Sequence, residues 1–189
     1  MKHLPIALVI VMMICISGYG EEITFSFKGT VHELDGQFSY FTGHPFEITY
    51  SFESTTEDSD PGDSASGIYI GAIRSGSLTI FADMGTYKWE IESDGLHNTI
   101  EVKNLPEADS YFARARISGP ESGNEIPASF IVEFTDRNAA ALKNDSLPHA
   151  LEIRSFDQTN AQLTFIGAKQ YIFSTIGVIT SAKAPVAHP

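Results

Sequence analysis

The chain has 189 residues, 42% of them hydrophobic, and its 24 acidic residues against 12 Lys and Arg give a net charge of −12. That field repels phosphate backbones and anionic membrane surfaces, which argues against nucleic acid as a partner. The length suits a single domain with a buried core.

The chain opens with Met1-Lys2-His3 and continues as an apolar run from Leu4 to Ile16. A short basic end followed by roughly a dozen apolar residues is the layout of a secretory leader. The run is shorter than the about 20 apolar residues that a membrane-crossing helix needs. Gly18 and Gly20 supply the small side chains of a cleavage box, so residues 1–20 read as a signal peptide cut before Glu21; the alternative, since the box is built on Gly rather than Ala, is an uncleaved anchor. Cys15, the only cysteine, then leaves with the leader; Ile14 before it is not the small residue that a lipid-modified cysteine requires. What remains has no thiol, hence no disulfide, no cysteine-bound zinc and no thiol nucleophile. No second long apolar run follows, so no membrane span is expected after cleavage, and the expected location is extracellular, by way of the periplasm.

After the leader the signal is alternation. Ile23, Phe25 and Phe27 alternate with Thr24, Ser26 and Lys28, and the run reaches Val31 across Gly29. Phe46, Ile48, Tyr50 and Phe52 repeat the pattern, as do Tyr87, Trp89 and Ile91. Ile100 and Val102 flank Glu101; Phe130, Val132 and Phe134 alternate with Ile131 and Glu133; Leu163 and Phe165 flank Thr164. Ile172, Ser174, Ile176 and Val178 close the chain with a mixed pattern. Period-two alternation of β-branched and aromatic residues buries one face of a strand and wets the other, which implies antiparallel sheets. Asp35-Gly36, Asp60-Pro61-Gly62, Ser93-Asp94-Gly95 and Ser118-Gly119-Pro120 supply turns between the runs. The expectation is an all-β fold, an antiparallel β-sandwich of jelly-roll type spanning 21–184, with a disordered tail at 185–189. One short helix is predicted over Asp136–Lys143, where Asp136 could cap a run of good helix formers, Ala139-Ala140-Ala141-Leu142.

Residues with chemical potential are few. Glu53 to Ser66 reads as a long acidic surface loop. Within it Asp58, Asp60 and Asp63 have the oxygen ligands of a candidate calcium site, although Gly62 occupies the fifth position where an EF-hand needs a ligand. The alternative is a solvated loop. Trp89 shares its strand face with Tyr87 and Ile91, which favours core packing over a sugar-stacking platform. His32, His44, His97, His149 and His188 have no metal-ligand spacing, and the chain has neither a nucleophile elbow nor a phosphate loop. A carboxylate pair for glycoside hydrolysis is set by distance in space, so the sequence leaves it open. Asn144-Asp145-Ser146 is an acceptor triplet for N-glycosylation.

Several stretches carry a resemblance. Phe52 to Ile80 runs as a strand, an acidic Asp-Pro-Gly-Asp loop and then Gly67-Ile68-Tyr69-Ile70-Gly71-Ala72-Ile73 before Leu78-Thr79-Ile80. Asp109-Ser110-Tyr111 opens a later strand, Asp145-Ser146-Leu147-Pro148 precedes Leu151 and Phe156, and Gln162-Leu163-Thr164-Phe165 follows. In these turn-and-strand patterns the chain resembles exported bacterial β-sandwich proteins of the PEP-CTERM-associated type. Such proteins often end in a Val-Pro-Glu-Pro motif, an apolar helix and a basic end; here Ala184-Pro185-Val186 leads only to Pro189. The resemblance therefore implies a sandwich fold and a released protein without the sorting step, and it supplies no catalytic residues.

The expected function is a non-enzymatic extracellular module, of matrix, surface or glycan-binding type, with no cofactor unless calcium is bound. Its expected partner is an extracellular polysaccharide or a surface protein, with the loop Glu53–Ser66 as the first candidate to carry binding. The alternative is a secreted hydrolase acting on extracellular polysaccharide.

Overall fold

The computed structural model describes residues 20–32, 36–93, 95–121, 124–166 and 171–188. Residues 1–19, which hold Cys15 and all but the last residue of the expected signal peptide, lie outside the described residues, as does Pro189. Ten strands form in the described residues: β1 (Glu22–Val31), β2 (Pro45–Glu53), β3 (Ser66–Ile70), β4 (Ile73–Ala82), β5 (Gly85–Ile91), β6 (Thr99–Asn104), β7 (Asp109–Ser118), β8 (Ile126–Asp136), β9 (Gln158–Ile166) and β10 (Tyr171–His188). Among the described residues no helix is long and apolar enough to cross a membrane.

Every strand pairing is antiparallel, and the strands run in the order β3-β6-β7-β5-β4-β2-β1-β10-β9-β8. The main sheet curls into a half-barrel. β7 is the strand on which it turns. One edge of β7 pairs with β8 from Asp109 to Arg116. The other edge is shared, β6 taking Asp109 to Arg114 and β5 taking only Ile117 and Ser118. The ladder therefore forks where β5 and β6 diverge.

Alternation fixes which face is inside. On β7 Tyr111, Ala113, Ala115 and Ile117 are buried, whereas Phe112, Arg114 and Arg116 stand on the other face. The interior is aromatic. Phe25 meets Phe52 edge-on with centroids 5.1 Å apart, and Phe27 meets Phe134 at 5.3 Å. Such edge-to-face pairs are favoured by the ring quadrupole. Trp89 is 1% exposed and lies among Phe41, Tyr87 and Phe165. It is a core residue, as its strand face predicts.

Two hydroxyls are buried in this aromatic interior and satisfy each other: Tyr50 Oη and Tyr111 Oη are 2.6 Å apart, with both residues fully buried. Burial pushes both phenols above their usual range, and for Tyr50 the neighbouring Tyr111 adds to the shift. Tyr50→Phe or Tyr111→Phe alone strands a hydroxyl and is expected to cost about 1–3 kcal/mol. The double phenylalanine variant is expected to cost less than the sum, because no polar atom is left unpaired. Urea titrations of the four proteins read this cycle. The folded-state pKa values are raised, so the pair's contribution is intact below the ordinary tyrosine pKa, about 10, and is lost as pH rises toward the folded values. The double variant should accordingly have a flatter alkaline stability limb.

Two expectations are corrected. Asp136–Lys143 is not a helix; the short helical turns are 3₁₀ segments at Gly36–Phe41 and Ile153–Ser155. Asp136 ends β8, and its carboxylate accepts the N–H groups of Ala140 (2.8 Å) and Asn138 (2.9 Å), which hold it below the usual carboxylate range. The capping chemistry is present, but Ala139 adopts a left-handed conformation (φ 52°) and turns the chain aside before a helix can start. Asp109, paired with Asp136 in the β7–β8 register, accepts the Leu142 N–H at 2.8 Å. Two buried acids thus anchor the loop after β8. The second correction concerns the tail. β10 extends to His188, with Val186, Ala187 and His188 pairing with Thr24, Ile23 and Glu22. Ladder hydrogen bonds to β1 order a segment whose prolines and small side chains read as loose.

Candidate functional site: a groove at the fork in the sheet

The fork leaves backbone groups without ladder partners, and Asn98 supplies them. Its side chain is fully buried. Nδ2 donates to Glu92 O at 2.8 Å and to Ile73 O at 3.3 Å, while Oδ1 accepts the Arg116 N–H at 3.0 Å. One amide therefore joins the start of β4, the segment after β5, and β7. The Glu92 N–H donates to Arg116 O at 2.9 Å, and the Glu92 carboxylate receives the Arg116 Nε at 3.0 Å. Arg116 is thus fixed both at its backbone and at its guanidinium.

Outside this junction lies a groove of about 570 Å³, a size typical of ligand sites, which span about 300–1,000 Å³. Its lining comes from the segment between β5 and β6, from β6, the outer face of β7, the start of β8 and the end of β9. Arg114 and Arg116 give it a cationic side in an acidic chain, against one carboxylate, Glu92, and His97 lines it as well. Leu96, Ile126 and Ile166 line it too, exposed at 77%, 56% and 43%. Large apolar side chains gathered at one exposed concavity mark an interaction site more often than scattered ones do. Phe112 adds a half-buried ring.

A β-bulge shapes the floor. The β8–β9 register shifts between Pro127 and Ser129, so that Ser129 and Phe130 are both buried. Phe130 joins the core, and Ser129 stands opposite Thr164 on the other face. Bulges re-aim side chains in this way beside functional sites. Ser129 lines the groove at 3% exposure, and its Oγ has no hydrogen-bond partner among the described residues.

The residues singled out from sequence are placed elsewhere. Asp58 Oδ1 accepts the Asp60 N–H at 3.0 Å and the Ile68 N–H at 2.9 Å, and the Ser59 N–H donates to Ile68 O at 2.8 Å. Asp63 Oδ1 accepts the Ala65 N–H, while Asp60 and Asp63 are exposed. The acidic loop thus spends two carboxylates on backbone donors and lies along the outer edge of β3. None of the groove's lining comes from it. Among the described residues no group of three or more His, Cys, Asp or Glu is placed to hold a metal ion. The signal that points to the groove is Arg114-Ala115-Arg116: two guanidiniums on one strand face, with a small apolar residue turned inward between them.

Compared with known proteins, the chain matches no family model, no curated protein and no solved structure.

Proposed function

We propose that this chain is a non-enzymatic, secreted binding domain whose groove at the β5–β6 fork receives an extracellular polysaccharide. The observation that carries this reading is the convergence of exposed Leu96, Ile126 and Ile166 with Phe112 and two arginines in one concavity. Rings and aliphatic chains cover the C–H faces of sugars, while guanidinium and hydroxyl groups meet their oxygens. Glu92 is the single acid of the lining and is paired with Arg116, whereas glycoside hydrolysis needs two carboxyl groups across one cleft. That supports binding over the hydrolase alternative. The resemblance to exported β-sandwich proteins supports the same reading. We take the half-barrel's walls as the two layers of a sandwich, since Phe25 of β1 touches Tyr111 of β7 and Phe27 touches Phe134 of β8 across the interior.

The test is affinity electrophoresis and calorimetry against neutral and acidic polysaccharides. Phe112→Ala is expected to weaken binding about tenfold or more, in the range of an aromatic contact residue, with the far-ultraviolet spectrum unchanged. Binding indifferent to this change removes the groove from the account. Release of reducing ends during incubation replaces it with the hydrolase.

A further inference from the structure

We propose that the ligand bears carboxylates, as a uronate-containing polysaccharide does, and that Arg114 grips them; this rests on the groove being the binding site. The two arginines of the groove are not equivalent. Arg116 is engaged by Glu92 at its side chain and by Asn98 at its backbone. Arg114, two residues along the same exposed face of β7, makes no side-chain hydrogen bond or ion pair among the described residues.

No acid faces it directly across either ladder. Across the ladders it faces Thr99 on β6 and Ile131 on β8. The acids on those strands, Glu101 and Glu133, stand opposite Phe112 instead, and Glu101 is held by Lys103. A guanidinium offers a planar fork of N–H donors that matches a carboxylate with two parallel hydrogen bonds.

The remaining chemistry fits an acidic sugar. Ser129 Oγ, buried and without a partner among the described residues, belongs to a residue that lines the same groove and can answer a hydroxyl. A buried hydroxyl left unpaired is costly, so a ligand that supplies the missing bond gains from it. Phe112 adjoins Arg114 on the strand face and offers a ring beside the charge. The chain's net charge of −12 repels dense polyanions at long range, so recognition must come at contact. At physiological salt that repulsion is screened beyond about 8 Å, while the contact pair persists.

The experiment uses the full chain with polygalacturonate and with the same polymer after its carboxyl groups are reduced to alcohols, at physiological salt. The acidic form is expected to bind at least tenfold more tightly. Arg114→Ala is expected to abolish that preference, Arg114→Lys to retain part of it, and Arg137→Ala, an exposed arginine outside the groove, to leave it intact. Equal binding of the two polymers, still sensitive to Phe112→Ala, overturns the carboxylate inference and leaves the groove standing. Binding of neither polymer overturns both. A preference that survives Arg114→Ala removes Arg114 from the role.

Discussion

Asn98→Ala is expected to destabilise the fold by about 3–5 kcal/mol and to lower the melting temperature by about 10 °C. The substitution deletes three hydrogen bonds at once and takes the side-chain partner from Ile73 O, which is buried, and from Glu92 O and the Arg116 N–H, which are partly buried. Each such group costs about 1–3 kcal/mol when it loses its partner, and slight relaxation or an entering water recovers part of the sum. Asn98→Asp separates hydrogen bonding from shape. It keeps an acceptor for Arg116 N–H but aims a second oxygen at two carbonyls. The buried aspartate's pKa should be raised, so that variant should be most stable on the acid side and lose stability as pH rises through the folded pKa. Thermal unfolding followed by circular dichroism across pH reads both effects. An Asn98→Ala loss below about 1 kcal/mol would mean that the fork is held by something other than this amide. The same side chain also fixes Arg116 and the segment carrying Leu96 and His97, so ligand binding should weaken along with stability.

Trp89→Ala is expected to cost about 3–5 kcal/mol, the range of large-to-small changes at buried aromatics. Trp89 packs against rings from three directions, and its Nε1 donates to Pro120 O at 3.0 Å. That bond ties the segment after β7 to β5, where Gly119 comes so close that a Cβ would lie 2.9 Å from both Lys88 O and Trp89 Cδ1. Trp89→Phe keeps most of the apolar volume and forfeits the bond, so a smaller loss, about 1–2 kcal/mol, is expected. Denaturant midpoints by circular dichroism compare the three proteins, since the variants lack the only tryptophan as a fluorescent reporter. Near-equal losses for the two substitutions would assign the stability to the indole N–H rather than to packing.

The strands are legible because their signal is local. Ile23, Phe25 and Phe27, or Phe46, Ile48, Tyr50 and Phe52, declare an inner face by spacing alone, and the structure buries all seven. The break between β3 and β4 is harder, for Gly67 to Ile80 reads as one run; Gly71, at φ 72°, makes the turn that splits it. The helix expected at Asp136 fails because a good cap does not dictate the backbone of the residues beyond it. The groove is the least legible feature, since four strands and the β5–β6 segment, far apart in the chain, contribute to it. Asn98 gives no warning at all: one amide in Leu96-His97-Asn98-Thr99 looks like any polar loop residue until the strands around it part.

The acidic loop bears on how copies of this molecule behave in company. Unpaired strand edges invite neighbours to extend a sheet, and proteins guard them with charge or with cover. In the ten-strand order β8 is closed off by β7, and β3 is a terminal strand among the described residues. There Asp58 and Ser59 occupy both backbone groups of Ile68, so the rim of β3 is blocked at its centre. A second copy that paired along β3 would first have to break these two bonds, one of them to the carboxylate of Asp58.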